Sequence, residues 1–352
     1  MKTRNMTIDF FKFYYSFFIV AYHFYNPLKI YFIRGNLAVS FFLIVSGVLL
    51  FSSFEKGNHI SPNRFALKRL KRFVPSVFIS YFFAFIIKRL IIDSTTSPSK
   101  LVDYISSDMW EILLLKMNGM NLDKQFFNSP VWTISSIFIV GCIFWCLLFT
   151  CKSFFLNCIL PVTLIGFFGY YWHQPSTSHE VWNGFTTAGT LRAYIMMGLG
   201  FYCYKISEHI SSVNFNLTGR LFLTIIELLC HTFVIWSVNT RSSSNYELCN
   251  TLMFCISIAI AFSGKSFSGK VFSKFKITKY LAQLSLSIYL VHRPVISLMS
   301  WYYGSPEYIS KGWTFILCLI PLVFSHHIIT KWFITGCRKL QSALKRSLTI
   351  QN

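Results

Sequence analysis

The chain has 352 residues, of which 54% are hydrophobic and 13% are charged, and its 33 Lys and Arg against 12 Asp and Glu give a net charge of +21. Soluble domains contain about 25% charged residues, so this composition, with a mean hydropathy of +0.51, excludes a soluble enzyme and a disordered tail. The apolar residues fall in long blocks rather than at heptad spacing, which excludes a coiled coil and indicates a polytopic membrane protein.

A helix that spans a membrane needs about 20 mostly apolar residues. Ten segments meet this requirement, at 8–27, 37–54, 73–92, 131–150, 154–172, 189–205, 219–238, 249–264, 281–300 and 313–334. The first is predicted to be an uncleaved span because it contains no small-residue cleavage site. No internal repeat is visible, and no linker divides the chain. We therefore predict an all-α, polytopic membrane bundle of about ten transmembrane helices, which forms a single domain over residues 1–352.

The distribution of basic residues predicts the topology. If the N-terminus is cytoplasmic, 21 Lys and Arg lie in cytoplasmic segments and seven lie in the opposite loops, while eight of the twelve acidic residues lie outside. Membrane proteins concentrate Lys and Arg in their cytoplasmic loops, so both termini are predicted to be cytoplasmic. The same asymmetry explains most of a positive charge that would indicate nucleic acid in a soluble protein, and we expect no nucleic-acid partner.

The first span contains three ionisable residues, Asp9, Lys12 and His23. A charge within the bilayer costs about 2.5–3.5 kcal/mol on insertion scales, so each is a candidate for a functional role. Lys12 and His23 share a helix face about 16 Å apart. Asp9 lies one turn from Lys12 and can pair with it. Because Asp9 lies about 21 Å from His23, an Asp–His relay within this helix is excluded. The residues alone leave His23 open between reaction chemistry and a packing role.

Motifs of other chemistries are not found. The ten cysteines lie mostly in apolar segments and lack the paired spacing of a zinc site. The sequence has no HExxH motif, no Gly-x-Ser-x-Gly element and no Gly-rich phosphate loop. We therefore expect no metal, and neither zinc hydrolysis nor a serine-hydrolase elbow is supported, although an acyl-enzyme route through another serine stays open.

Six motifs occur in order along most of the chain. They are Lys12 and His23 with ten residues between them; Phe42, Leu43, Ser46 and Gly47; Arg69, Arg72 and Pro75; Trp132 to Ser135; Arg192 and Gly198; and Ser285, Ser287, Tyr289, His292 and Pro294. Together they resemble the motifs of the acyltransferase family 3 integral-membrane proteins. Four positions depart from the family pattern: Lys12 replaces the usual Arg, Leu43 replaces the second Phe, and Ile137 and Thr330 stand where an acidic residue is usual.

The resemblance implies transfer of an acyl group, usually acetyl from acetyl-CoA, onto a hydroxyl. His23 suits the catalytic base, because desolvation keeps an imidazole neutral and able to accept a proton. Lys12 is too far from His23 to hold the same reacting atom, and we expect it to bind the acyl donor. Arg69 and Arg72 suit the phosphates of coenzyme A. The alternative for this basic cluster is that it anchors a loop at the cytoplasmic surface.

The other residues that match the family are predicted to bind the acceptor or to hold polar contacts within the bundle. They are Asp9, Ser46, Trp132, Arg192, Tyr289 and His292. Ser46 and its neighbouring glycine also suit close helix packing. Arg192 has the alternative of extending to the membrane surface, and His292 that of a hydrogen bond to a neighbouring helix.

We expect a multi-pass O-acetyltransferase of the bacterial inner membrane. Its donor would be acetyl-CoA, a co-substrate rather than a resident cofactor, and its partners would be the acyl-CoA, membrane lipid and a glycan acceptor. That acceptor would be a cell-surface polysaccharide of the O-antigen or capsule type, or its lipid-linked precursor. The alternatives are a transporter or flippase of a lipid-linked glycan and a glycan polymerase. The absence of visible repeats and the acidic character of the longest outer loop favour the transferase.

Overall fold

The structure is a computed structural model that describes residues 5–25, 32, 34–92, 108–115, 127–173, 181–182, 186–240 and 245–350. The helices, in chain order, are α1 Met6–Tyr25, α2 Ala38–Glu55, α3 Pro62–Phe85, α4 (described over 108–112), α5 Val131–Phe154, α6 Leu160–His173, α7 Ala188–Ser212, α8 Leu217–Val238, α9 Asn245–Ser263, α10 Ser268–Lys274, α11 Lys276–Tyr303 and α12 Gly312–Ile350. The fold class predicted from composition is confirmed, because the described residues are almost entirely helical.

Shorter elements connect or extend these helices. There are π-helical turns at Ile86–Ile92 and Phe155–Ile159, and 3₁₀ turns at Gly35–Leu37 and Glu307–Lys311. Two short antiparallel strands, β1 Val181–Trp182 and β2 Thr186–Thr187, pair with Val181 opposite Thr187. This hairpin was not predicted from the sequence.

The number of spans differs from the prediction. Each predicted span falls on a helix, but only six helices of the described chain are long and apolar enough to cross a membrane by length and composition, or seven if α9 and α10 form one span. One reason is that α5 and α6 form a nearly continuous run, interrupted where Cys151 has non-helical φ and ψ of −143° and 49°. In addition, α9 meets the test only together with α10, to which it stands at 70°, and α1 and α7 do not meet it. The count of ten and the side of the termini remain predictions.

Three apolar clusters lie among the described residues, and the smallest consists of Tyr81, Ala84, Ile112 and Phe127. The other two hold most of the bundle together. The larger lies mainly between α2, α5, α7 and α9, and the smaller between α1, α11 and α12. Helices α2 and α7 approach each other closely, because a Cβ on Gly47 would lie 2.1 Å from the carbonyl oxygen of Met197, and one on Gly200 would lie 2.7 Å from that of Ile44. Small residues allow such close backbone approach. The packing role predicted beside Ser46 is therefore confirmed for Gly47.

Helices α8 and α12 present large apolar side chains outward, among them Phe222, Leu229, Trp313 and Trp332. Water would penalise such a surface, whereas lipid tails do not, so these faces are those expected of an integral membrane protein.

Candidate active site

A cavity of about 820 Å³ opens between α1, α2, α3, α5, α11 and α12. Its Lys and Arg residues are Lys12, Lys68, Arg69, Arg72 and Lys331. Its hydroxyl-bearing residues are Ser46, Ser53, Ser76, Thr133, Ser285, Ser287, Tyr289 and Thr330, and the rest of the wall is mostly apolar. Six predicted site residues therefore line this cavity: Asp9, Lys12, Ser46, Arg69, Arg72 and Tyr289.

The guanidinium groups stand on one face of α3. Arg69 and Arg72 are three residues apart, which places them about one turn from each other on the same side of the helix. The Arg69 guanidinium carbon lies 5.0 Å from the centre of the Phe65 ring, which stacks on Trp145 with 4.2 Å between ring centres. The indole N–H of Trp145 donates to the carbonyl of Ile60 at 2.9 Å. An aromatic platform that is itself fixed therefore positions Arg69.

The hydroxyl-lined part of the cavity is formed by α5 and α11. The hydroxyls of Thr133 and Tyr289 lie 2.7 Å apart, which joins the two helices at this point. Ser46 donates to the carbonyl of Phe42 at 2.8 Å, within its own helix. The lining thus combines Lys and Arg side chains with neutral hydroxyls and apolar groups, a set that accommodates an anionic molecule with an uncharged tail.

His23 is not among the lining residues. Its ring stacks on that of His292, with 5.2 Å between the ring centres and 25° between the planes. His292 is fully buried, and its Nδ1 donates to the carbonyl of Tyr289 at 2.7 Å. Among the described residues its Nε2 has no hydrogen-bond partner, and because Nδ1 donates to a carbonyl, Nε2 of the neutral ring carries a lone pair. His23 and His292 are therefore brought together beyond Tyr289, next to the cavity rather than within it.

Arg192 and Trp132 are placed away from the cavity wall. Arg192 is buried, donates to the hydroxyl of Ser40 at 2.8 Å, and forms an ion pair with Glu247 at 3.7 Å. It therefore joins α7 to α2 and α9, and the alternative that it extends to the membrane surface is wrong. Trp132 is buried on α5, and the adjacent Thr133 lines the cavity in its place.

His326, which is buried on α12, was assigned no role from the sequence. One ring nitrogen, Nδ1, lies 2.9 Å from the hydroxyl of Ser287, and the other, Nε2, lies 2.9 Å from the carbonyl oxygen of Ser76. The sequence contains one indication of its burial: His326 follows Leu319 and Val323 and precedes Thr330 at helical spacing, and all four residues are buried.

Asn128, just before α5, was also missed. Its side-chain NH₂ donates to the carbonyl of Leu290 at 3.0 Å. In α11 this carbonyl would normally accept from residue 294, but Pro294 has no N–H. The carboxylate of Glu111 in turn accepts from the backbone N–H groups of Phe127 and Asn128 at 2.7 and 2.9 Å. These contacts fix the α11 backbone beside His292.

The described residues include no group of three His, Cys, Asp or Glu side chains arranged to hold a metal ion. In comparisons with known proteins, the acyltransferase domain family matches residues 6–329 of the chain. The match starts in α1 and ends in α12, and it includes all the cavity-lining residues except Thr330, Lys331 and Ile334. No curated protein and no solved structure matches.

Proposed function

Because this chain belongs to acyltransferase family 3, with a match over residues 6–329, we propose that it transfers an acetyl group from acetyl-CoA to a hydroxyl of a cell-envelope glycan. The resemblance inferred from its motifs is confirmed, and the chain is an integral membrane acyltransferase. The proposed acceptor is a polysaccharide of the O-antigen or capsule type, or its lipid-linked precursor. The proposed location is the bacterial inner membrane.

The observation that supports this proposal most strongly is the cavity that unites Lys12 of α1 with Arg69 and Arg72 of α3. Coenzyme A carries its negative charge on phosphates at one end and its thioester at the end of a long, neutral pantetheine arm. Guanidinium groups bind phosphate through paired N–H donors. The Lys and Arg side chains of the cavity suit the phosphates, and its apolar and hydroxyl groups suit the arm. An anchoring role for the basic cluster would not require it to line a cavity.

The acceptor is proposed to approach on the side of His23. In the direct reaction, the His23 imidazole takes the proton of the acceptor hydroxyl while the hydroxyl oxygen attacks the thioester carbonyl. The carbon–sulfur bond then breaks, and coenzyme A leaves as a thiolate that receives a proton. Close packing of His23 on the buried ring of His292 limits the rotation of the His23 ring.

The test is transfer of radiolabelled acetyl from acetyl-CoA to envelope glycan in membranes that contain the protein. Arg69→Gln and Arg72→Gln are expected to raise the KM for acetyl-CoA about tenfold or more each, because each removes a charge-assisted contact of about 1.5–3 kcal/mol.

Arg64→Gln is the matched control, since Arg64 is exposed on the same helix and does not line the cavity. Label transfer that is unchanged in both cavity variants would refute the donor site. A wild-type protein that transfers no label from acetyl-CoA would favour a transporter.

A further inference from the structure

Ser287 and His326 form a hydroxyl–imidazole pair in the wall of the donor cavity. Ser287 lines the cavity from α11, and its Oγ lies 2.9 Å from Nδ1 of His326 on α12. This distance is within hydrogen-bond reach, the geometry required between a serine nucleophile and its general base. The direct reaction proposed above uses neither residue.

The hydrogen bonds of His326 settle which nitrogen carries the proton. A backbone carbonyl only accepts, so Nε2, 2.9 Å from the oxygen of Ser76, must be the N–H donor. In the neutral imidazole Nδ1 is then the acceptor, and the hydroxyl of Ser287 donates to it. The Ser76 carbonyl thus selects the tautomer and fixes the ring, as a carboxylate does in a serine-hydrolase triad.

The position of the pair suits a thioester rather than a phosphate. Ser76 follows Arg72 by four residues and Arg69 by seven on α3, so the contact with His326 lies about 6 Å and about 10 Å further along the helix axis. A donor whose phosphates are bound by these guanidinium groups extends its neutral arm along the same wall. Its thioester carbonyl is then near Ser287.

Burial makes the serine the natural route for a proton to and from the base. His326 is only 1% exposed, and both of its ring nitrogens are occupied by Ser287 and Ser76. A purely structural hydrogen bond would join α3, α11 and α12 equally well, but it would not require Ser287 to line the cavity that contains Lys12, Arg69 and Arg72. The lining position of Ser287 therefore favours a catalytic role over a purely structural one.

We propose that Ser287 is an acyl-carrying nucleophile and that His326 is its general base, an inference that rests on the proposed function and replaces its direct step with two steps. First, Ser287 Oγ attacks the thioester carbonyl as its proton passes to Nδ1 of His326. The carbon–sulfur bond breaks, and the imidazolium returns this proton to the coenzyme A sulfur. The products are the Ser287 ester and free coenzyme A.

In the second step, the acceptor hydroxyl attacks the ester carbonyl. Its proton passes to Nδ1 of His326 and from there to the departing Ser287 oxygen, which restores the free enzyme. In this route His23 orients the acceptor and does not remove its proton. Because a carbonyl stabilises an imidazolium less than a carboxylate does, the pair is a weaker catalyst than a complete triad.

The test uses the purified full chain with unlabelled acetyl-CoA and radiolabelled coenzyme A, without acceptor. A covalent intermediate exchanges label into acetyl-CoA, whereas direct transfer cannot do so when no acceptor is present. We expect exchange in the wild type and none in Ser287→Ala. His326→Gln retains an N–H donor for Ser76 but has no basic nitrogen, and we expect it to lower the exchange rate about 10²–10⁴-fold.

Two further variants guard against misfolding. Ser287→Cys retains a nucleophile and is expected to exchange and to form a thioester that neutral hydroxylamine cleaves. Ser257→Ala is the matched control, because this buried α9 serine donates to Phe254 of its own helix and does not line the cavity. It is expected to exchange at the wild-type rate.

The outcomes separate the two proposals. Acetyl transfer to glycan by the wild type without exchange overturns the serine intermediate and leaves the proposed function intact. Wild-type exchange that persists in Ser287→Ala overturns the assignment of Ser287. A wild type that neither exchanges nor transfers overturns both proposals. Exchange that survives in His23→Ala, together with loss of transfer to the glycan, supports the two-step route.

Discussion

Replacing Gly47 with Ala is expected to force α2 and α7 apart. The added Cβ would lie 2.1 Å from the carbonyl oxygen of Met197 and 2.8 Å from its carbonyl carbon and its Cα. All three are backbone atoms, so no side-chain rotation relieves the contact. Ordinary contact begins at 3.4 Å, so the Met197 backbone must retreat by roughly 1.3 Å. Overpacking of this kind costs about 1–3 kcal/mol.

The measurement is thermal unfolding of the purified variants in one detergent. Gly47→Ala is expected to lower the melting temperature by several degrees, and to reduce acyl transfer because Ser46 on the same turn lines the cavity. Gly166→Ala is the control, since a Cβ on this α6 residue meets no atom within 4 Å. Equal melting temperatures for Gly47→Ala and the wild type would show that the α2–α7 crossing is looser than the structure indicates.

Three further outcomes are expected. Lys12→Ala should raise the KM for acetyl-CoA with little change in melting temperature. Lys12→Arg should keep the KM near that of the wild type, because the charge is kept. An unchanged KM in the alanine variant would show that Lys12 does not contribute to the donor site. His23→Ala should lower acetyl transfer to glycan at least 100-fold at matched expression, and transfer at the wild-type rate would refute its role. Asn128→Ala should destabilise the fold by about 1–3 kcal/mol in chemical or thermal unfolding, because it leaves the Leu290 carbonyl buried and unpaired. Adding Pro294→Ala to this variant should recover part of the lost stability, because it restores an N–H donor for that carbonyl. A double variant no more stable than Asn128→Ala would contradict the proposed pairing.

The boundaries of several helices could be predicted because local chemistry sets them. The span predicted at 249–264 ends at Gly264, which has a φ of +69°, a conformation that favours glycine, and α9 ends one residue earlier at Ser263. The break at Cys151 falls in the gap predicted between the spans at 131–150 and 154–172, where Thr150, Lys152 and Ser153 interrupt the apolar residues. The apolar pattern did not indicate that a nearly continuous helical run crosses this gap, because that depends on packing against other helices.

The proposed donor side of the site was accessible from sequence because Arg69 and Arg72 lie close together in the chain. Arg69 and Arg72 need only helical spacing to share a face. The Ser287–His326 pair depends on contacts across 39 residues, and the contact between His326 and Ser76 spans 250 residues. Helices that are apolar on most sides carry little information on which neighbour they pack against. Such contacts therefore become visible only in three dimensions.

The spacing along α1 bears on the reaction as a whole. Lys12 lines the cavity, whereas His23, about 16 Å further along the helix, packs on His292 outside it. A donor held by its phosphates near Lys12 therefore reaches the acceptor side only through its arm, or passes its acyl group to a residue in between. Ser287 is one turn and a half before His292 on α11, about 7.5 Å along the axis, and it lines the cavity. A covalent step at Ser287 would shorten the distance that the acyl group must cover while coenzyme A stays bound at its charged end. The exchange experiment therefore tests the path of the acyl group across the bundle as well as the identity of the nucleophile.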